Sequence, residues 1–378
     1  MSDWVKYVAF FGGAVAPAML VALIGGFVVR RFAARLGLMD QPNERKVHTT
    51  PIPLGGGLAI WAGVVSTFAA LNVTVLVLQS NPALVESAPA LLAEHLGGLN
   101  ERMLSLWGLV AGGTVLMLLG LYDDRRGLPW QLRLAIQLLV ALAVVVFYPS
   151  ARLTGFIEVT WFTCLLSSLW IVGLINSFNM LDNMDASSGG IAAISSTFLA
   201  LFLVTSPAVA AQPQWFVAGF LLVLVGSLLG FLFHNRPPAK LFMGDAGAYL
   251  VGYWIAIGTS LSTYTTYHSA SPHAILAPLF VMAVPLYDTI TVLTIRLREG
   301  RSLYEADKSH FTHRLVDLGL TKGQSVLTAF LLTATCGLCA LLLRRVGPGG
   351  AFVLALVVVC VLALINILET TARRKIRE

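Results

Sequence analysis

Apolar runs of bilayer length recur from one end of this 378-residue chain to the other, separated by short polar breaks, and they constrain its fold more than any motif does. About 20 consecutive apolar residues cross the hydrocarbon core of a membrane as a helix. Eleven such spans are predicted, at 8–29, 54–78, 104–122, 133–148, 160–176, 189–206, 215–232, 248–263, 274–295, 325–343 and 349–368. With 57% hydrophobic and 12% charged residues, nothing is left from which to build a soluble domain. The expected fold is all-α: one integral-membrane domain, 1–378, a polytopic bundle of about 11 transmembrane helices. The first run ends in Arg30-Arg31 without a small-residue cleavage site, so it reads as a span and not as a removed signal peptide. Residues 79–103 are expected to hold a short interfacial helix.

Lys and Arg divide unequally between alternate breaks. Twenty lie in 30–53, 122–133, 234–247, 296–324 and the tail after 370, against Lys6, Arg102, Arg152, Arg344 and Arg345 on the opposite side. Positive loops stay cytoplasmic, which predicts an outside N-terminus, a cytoplasmic C-terminus and an active face toward the cytoplasm. The net charge of +6 then describes topology and attraction to an anionic lipid bilayer. It does not describe nucleic-acid binding, because no stripe of alternating aromatic and basic residues accompanies it. Cys164, Cys336, Cys339 and Cys360 all fall inside spans and read as packing.

The breaks on the basic side also hold acids. Asp245 stands in a polar stretch from His234 to Gly247, just where a new span begins; its carboxylate is an oxygen donor of the kind that binds Mg²⁺. Asp123 and Asp124 are adjacent at the end of another span, where burying a carboxylate is costly unless it has work to do. Asn176, Asn179, Asp182 and Asp185 are spaced by three and would share one stripe of a helix facing the bundle interior. An acidic cluster at one membrane face implies a cation.

Two further breaks suit phosphate or sugar. The first runs from Arg45, Lys46 and His48 through Pro51 and Pro53 to Gly55, Gly56 and Gly57, placing cations beside glycines that let backbone approach a ligand closely. The second contains His310, His313 and Arg314 at helical spacing, and it lacks the third nitrogen or sulfur ligand that a metal would want. Asp288, inside a span, either pairs with a neighbouring cation or joins the site.

Taken together, Lys46 to Gly56, Asp123-Asp124, Asn179 to Asp185, Phe242 to Asp245 and His310 to Leu315 resemble, in order and placement, the bacterial polyprenyl-phosphate N-acetylhexosamine-1-phosphate transferases. The first loop and the Asp307 to Leu315 segment look like the branch that moves N-acetylglucosamine-1-phosphate, with one departure, Thr312 where that branch has another His. The resemblance implies a multi-pass protein of the bacterial inner membrane. Its expected partners are a UDP-N-acetylhexosamine and undecaprenyl phosphate, and its expected cofactor is Mg²⁺, for which Mn²⁺ can substitute. The expected products are the undecaprenyl-diphospho-sugar and UMP, the first step of a lipid-linked glycan.

The resemblance also implies residue roles. Asp123, Asp124, Asp182 and Asp245 are the expected catalytic acids, with Asp245 and Asn179 on the metal. Asn235 and Phe242 fall to the uridine side, Asp185 to the sugar, His310, His313 and Arg314 to the diphosphate or sugar, and Lys46 and His48 to the first loop's phosphate contact. A phosphate monoester's second pKa is about 6, so the lipid nucleophile needs little help from a base, and single displacement is expected over a phosphorylated enzyme. A homodimer is allowed by the resemblance and required by nothing in the sequence. The rival donor is UDP-muramyl-pentapeptide. The rival class, a cation-coupled transporter, would place its acids at mid-membrane within repeated halves, and no such repeat is found.

Overall fold

A computed structural model of the protein describes residues 3–42, 50–153, 157–205, 214–262, 271–304 and 309–377. In chain order the helices are α1 (Asp3–Leu36), α2 (Gly56–Ser80), α3 (Pro82–Val85), α4 (Ala90–Arg126), α5 (Trp130–Phe147), α6 (Thr160–Leu181), α7 (Ser187–Val204), α8 (Trp215–Asn235), α9 (Gly244–Leu261), α10 (Ala277–Val281), α11 (Ala283–Arg298), α12 (Phe311–Asp317), α13 (Lys322–Leu342) and α14 (Pro348–Arg377). Between α1 and α2, strands β1 (Met39–Asp40) and β2 (Ile52–Pro53) pair antiparallel, Met39 opposite Pro53 and Asp40 opposite Ile52.

Among the described residues, nine helices are long and apolar enough to cross a bilayer: α1, α2, α4 to α8, α13 and α14. The predicted span 274–295 is a broken one: Pro272–Val281, which ends in α10, and α11 meet at a 63° bend around Met282. The remaining predicted span, 248–263, is α9, and its physics differs from the others. Every residue from Ala246 to Ser260 is buried. A helix sheathed in protein needs no lipid-compatible surface, which is why Gly, Ser, Thr and Tyr are tolerated along it. The segment 79–103, expected to hold a short interfacial helix, holds the four-residue α3, and from Ala90 onward it belongs to α4, which runs unbroken for 37 residues.

Hydrophobic burial does little to drive helices together inside a membrane, so packing and hydrogen bonds between helices do more of the work. Trp254 of α9 stacks on Phe220 of α8 with ring centroids 4.2 Å apart and donates its Nε1–H to the Phe220 carbonyl at 2.9 Å. Tyr253 donates its hydroxyl to the Leu109 carbonyl of α4 at 3.0 Å, and Trp170 of α6 donates to Thr259 at 2.9 Å. At the polar end of this interface α4 and α9 touch backbone to backbone: a Cβ on Gly120 would lie 2.4 Å from the Ala246 nitrogen. The contact brings the end of α4 against the beginning of α9. On the periphery, α1 leaves Leu20, Ile24, Phe27 and Val28 at least half exposed, an apolar face suited to lipid.

Candidate active site

The acids of α4 and α9 meet at that junction and divide their tasks. Asp124 accepts the backbone N–H groups of Asp245 at 2.8 Å and Ala246 at 3.2 Å, capping α9 from another helix. The first N–H groups of a helix have no partner within it, and an anion placed there also meets the positive end of the helix dipole. Gly244, at φ +69°, makes the turn, and a side chain on it would strike the Asp124 carboxylate. Asp123 faces the other way. Its Oδ1 accepts the Leu128 N–H at 2.7 Å, and its Oδ2 accepts from Arg133 at 2.8 Å and from the Tyr249 hydroxyl at 3.1 Å. Neither Arg125 nor Arg126, next to it in sequence, is the cation that pairs with it.

Asp245 is thereby placed in the first turn of α9 with its side chain toward α6. Its Oδ1 accepts from the Asn179 amide nitrogen at 2.5 Å, and its Oδ2 lies 3.8 Å from the Arg133 guanidinium. The stripe expected from Asn176 to Asp185 is not one helix face. Helix α6 stops at Leu181, Asp182 is its C-cap, and Asp185 lies in the turn that follows. Asn176 points elsewhere, donating to Gln137 of α5 at 2.7 Å. The turn still serves the site, because it folds Asp182 back toward the start of α9, where the Gly244 N–H reaches it. Burial, and then the charge of Asp245, push the Asp182 carboxyl up to about 7.

This turn is fastened to the link between α8 and α9. Asp185 accepts the Ala239 N–H at 3.0 Å. Asn235 accepts the Ala186 N–H at 2.8 Å and donates to the Leu241 carbonyl at 2.9 Å. Asn235 is buried with both ends of its amide engaged, and it braces the turn against the link from α8 to α9. Phe242 is half-buried, and its backbone joins the first loop: its N–H donates to Pro53 and its carbonyl accepts from Gly56, each at 2.9 Å. Lys46 and His48 lie outside the described residues.

The histidine segment forms α12, with His310 as its N-cap. His310 and the Phe311 N–H both bond to Asp288 of α11, at 2.8 and 2.7 Å, which resolves Asp288 as the partner of a neighbouring group. Arg314 is buried, and its guanidinium is spent on Glu369 of α14, the Ser309 carbonyl and Thr291. These bonds hold the segment in place. Thr312, the departure noted above, donates to Asn183 at 2.8 Å and so ties α12 to the Asp182–Asp185 turn. His313 is half-buried.

Arg133, Tyr249 and Glu369 were not singled out by sequence, and only Arg133 carried a signal, as a cation at the edge of a span beside two acids. The carboxylates of Asp245 and Asp182 come together here, and rotation of the Asn179 amide, which now presents its nitrogen to Asp245, would add a third oxygen. That set fits a hard cation. Among the described residues no three His, Cys, Asp or Glu side chains converge into a cage. Mg²⁺ does not need one, since it keeps waters and leans on substrate phosphates.

An acid-rich centre at the start of the most enclosed helix marks the functional site of a membrane protein. The sequence comparisons specify which class. The profile of glycosyl transferase family 4 matches residues 106–263. The chain is 31% identical, over 86% of its length and 83% of the relative's, to a probable undecaprenyl-phosphate N-acetylglucosaminyl 1-phosphate transferase of Bacillus subtilis. It is 30% identical to a decaprenyl-phosphate N-acetylglucosaminephosphotransferase of Mycobacterium tuberculosis, over 85% of this chain and 82% of that one. To the undecaprenyl-phosphate alpha-N-acetylglucosaminyl 1-phosphate transferase of Escherichia coli K12 it is 29% identical, over 85% and 78%. The chain belongs to this family of polyprenyl-phosphate sugar-1-phosphate transferases.

Proposed function

We propose that the protein transfers N-acetylglucosamine-1-phosphate from UDP-N-acetylglucosamine to undecaprenyl phosphate, releasing UMP, at the cytoplasmic face of a bacterial inner membrane. The observation that carries the reading is the division among the acids. Both oxygens of Asp123 and of Asp124 are engaged by protein donors, whereas Asp245 is partly exposed and stands with Asp182 beside Asn179. This favours two organising acids and a metal-binding pair over a nucleophilic aspartate.

A phosphate oxygen of the lipid forms a bond to the sugar-linked phosphorus while the bond from that phosphorus to the UMP oxygen breaks. Both reactants are anions, so their approach must be offset by positive charge. When bound, Mg²⁺ supplies that charge at Asp245, with Asp182 and Asn179 as further oxygen donors. Arg133 neutralises Asp123 and stands 3.8 Å from Asp245, keeping two adjacent carboxylates from repelling an incoming phosphate. Asp124 fixes the angle at which α9 presents Asp245. The resemblance assigns His313, half-buried on α12, to the diphosphate or sugar, and Asp288 holds His310 at the start of the same helix.

The test is transfer of label from UDP-N-acetylglucosamine to undecaprenyl phosphate by purified protein, with and without Mg²⁺. Lipid product that needs the cation supports the proposal. Product obtained only with UDP-muramyl-pentapeptide would replace the donor, and no lipid product from any UDP-sugar would overturn the reaction.

A further inference from the structure

A basic groove of about 560 Å³ lies apart from the acids, between the end of α1, strand β2 and the link from α8 to α9. Phe27, Arg30, Arg31, Pro53, Ala239 and Lys240 line it. Three of these carry positive charge, and among the described residues no carboxylate pairs with any of the three. Cations that no described carboxylate pairs with, gathered along one groove, form a recognition surface for an anion.

Arg30 is held ready. Its guanidinium lies over the Phe27 ring, 5.9 Å from the centroid, and its Nη1 is 3.4 Å from Nδ1 of His234. His234 is buried, and its Nε2 is 2.9 Å from the Leu23 carbonyl, so that nitrogen carries the proton and Nδ1 is left to accept from Arg30. No room is left for the ring to move, since a Cβ on Gly26 would collide with it. A buried imidazole that orients an arginine toward a groove, and not toward a carboxylate, is an arrangement for binding.

We propose that this groove seats the phosphate headgroup of an acidic phospholipid. Phe27 belongs both to the groove and to the exposed apolar face of α1 that continues through Ile24 and Leu20. An occupant with its headgroup at Arg30, Arg31 and Lys240 therefore has a path for an acyl chain along α1, which a soluble phosphate would not use. The groove is joined to the active site by backbone: Ala239 donates to Asp185, and Pro53 accepts from Phe242. An occupied groove braces the link that carries both.

The experiment uses the full-length protein in nanodiscs of phosphatidylcholine with or without phosphatidylglycerol, and counts by native mass spectrometry the lipids retained after extraction. Wild type should retain phosphatidylglycerol selectively. The Arg30→Gln/Arg31→Gln/Lys240→Gln variant should lose that preference by on the order of a hundredfold, as three juxtamembrane charges imply. Lys240→Gln alone, on an exposed side chain of the link, should lose about fivefold. Inorganic phosphate should displace none of the retained lipid. Undiminished preference in both variants would overturn the proposal, as would release by inorganic phosphate. A raised KM for undecaprenyl phosphate in phosphatidylcholine discs would also overturn it, because the groove would then be the acceptor's seat.

Discussion

One oxygen of Glu369 receives both Nε and Nη2 of Arg314, at 2.9 and 2.8 Å, across 55 residues of sequence. Tyr287 donates to the same oxygen at 3.1 Å. The last helix thus holds the histidine segment by a buried ion pair, and breaking such a pair from one side is far more costly than replacing both partners. Glu369→Ala should lower stability by about 3 kcal/mol and reduce transfer. Arg314→Met combined with Glu369→Leu should regain most of the stability. Unfolding in detergent, followed for the singles and the double, checks the coupling.

The role of Asp124 separates a cap from a nucleophile. Asn keeps one acceptor for the Asp245 N–H and cannot be phosphorylated. Asp124→Asn should retain at least about fivefold more transfer than Asp124→Ala, for the loss of a cap is worth about 1 kcal/mol or more. Equal and complete loss in both, with the fold intact, would favour covalent chemistry at this residue.

Arg133→Gln leaves Asp123 buried against Leu128 and Tyr249 without its cation. A stability loss of about 3 kcal/mol is expected. Much of it should be recovered by Asp123→Asn in the same chain. Thermal unfolding of the single and double variants reads both effects.

Removing divalent cations with a chelator should abolish transfer, and Mg²⁺ should restore it, with Mn²⁺ effective as well. Asp245→Asn should lower kcat by about a thousandfold or more, as loss of a metal-held charge clamp does. Circular dichroism should be unchanged, because the Asp245 backbone, and not its side chain, is what Asp124 caps.

The bundle was legible because lipid leaves so few choices: eleven apolar runs were read, and each falls on a helix or on the bent α10–α11 pair. The convergence of Asp245 with the adjacent pair at 123–124 was legible because an acid at the edge of a span is expensive without a partner or a task. Direction was not legible. Arg314 and Asn235 sit in the right segments yet face inward, and nothing in their spacing tells a substrate contact from a brace. The stripe through Asp185 failed because a period of three persists only while the helix does, and α6 ends at Leu181. Arg133 was passed over because a cation at the start of a span is also what membrane orientation alone produces.

The side-chain bonds that tie helix α12 to its surroundings include Asp288 on its cap, Thr312 against Asn183, and Arg314 on Glu369. The acids around Asp245 are held by a separate set of bonds. The two halves of the site can therefore diverge at different rates. A graft of the segment from a relative with another donor should change the sugar accepted while sparing the metal centre, provided the partners at 183, 288 and 369 are exchanged with it.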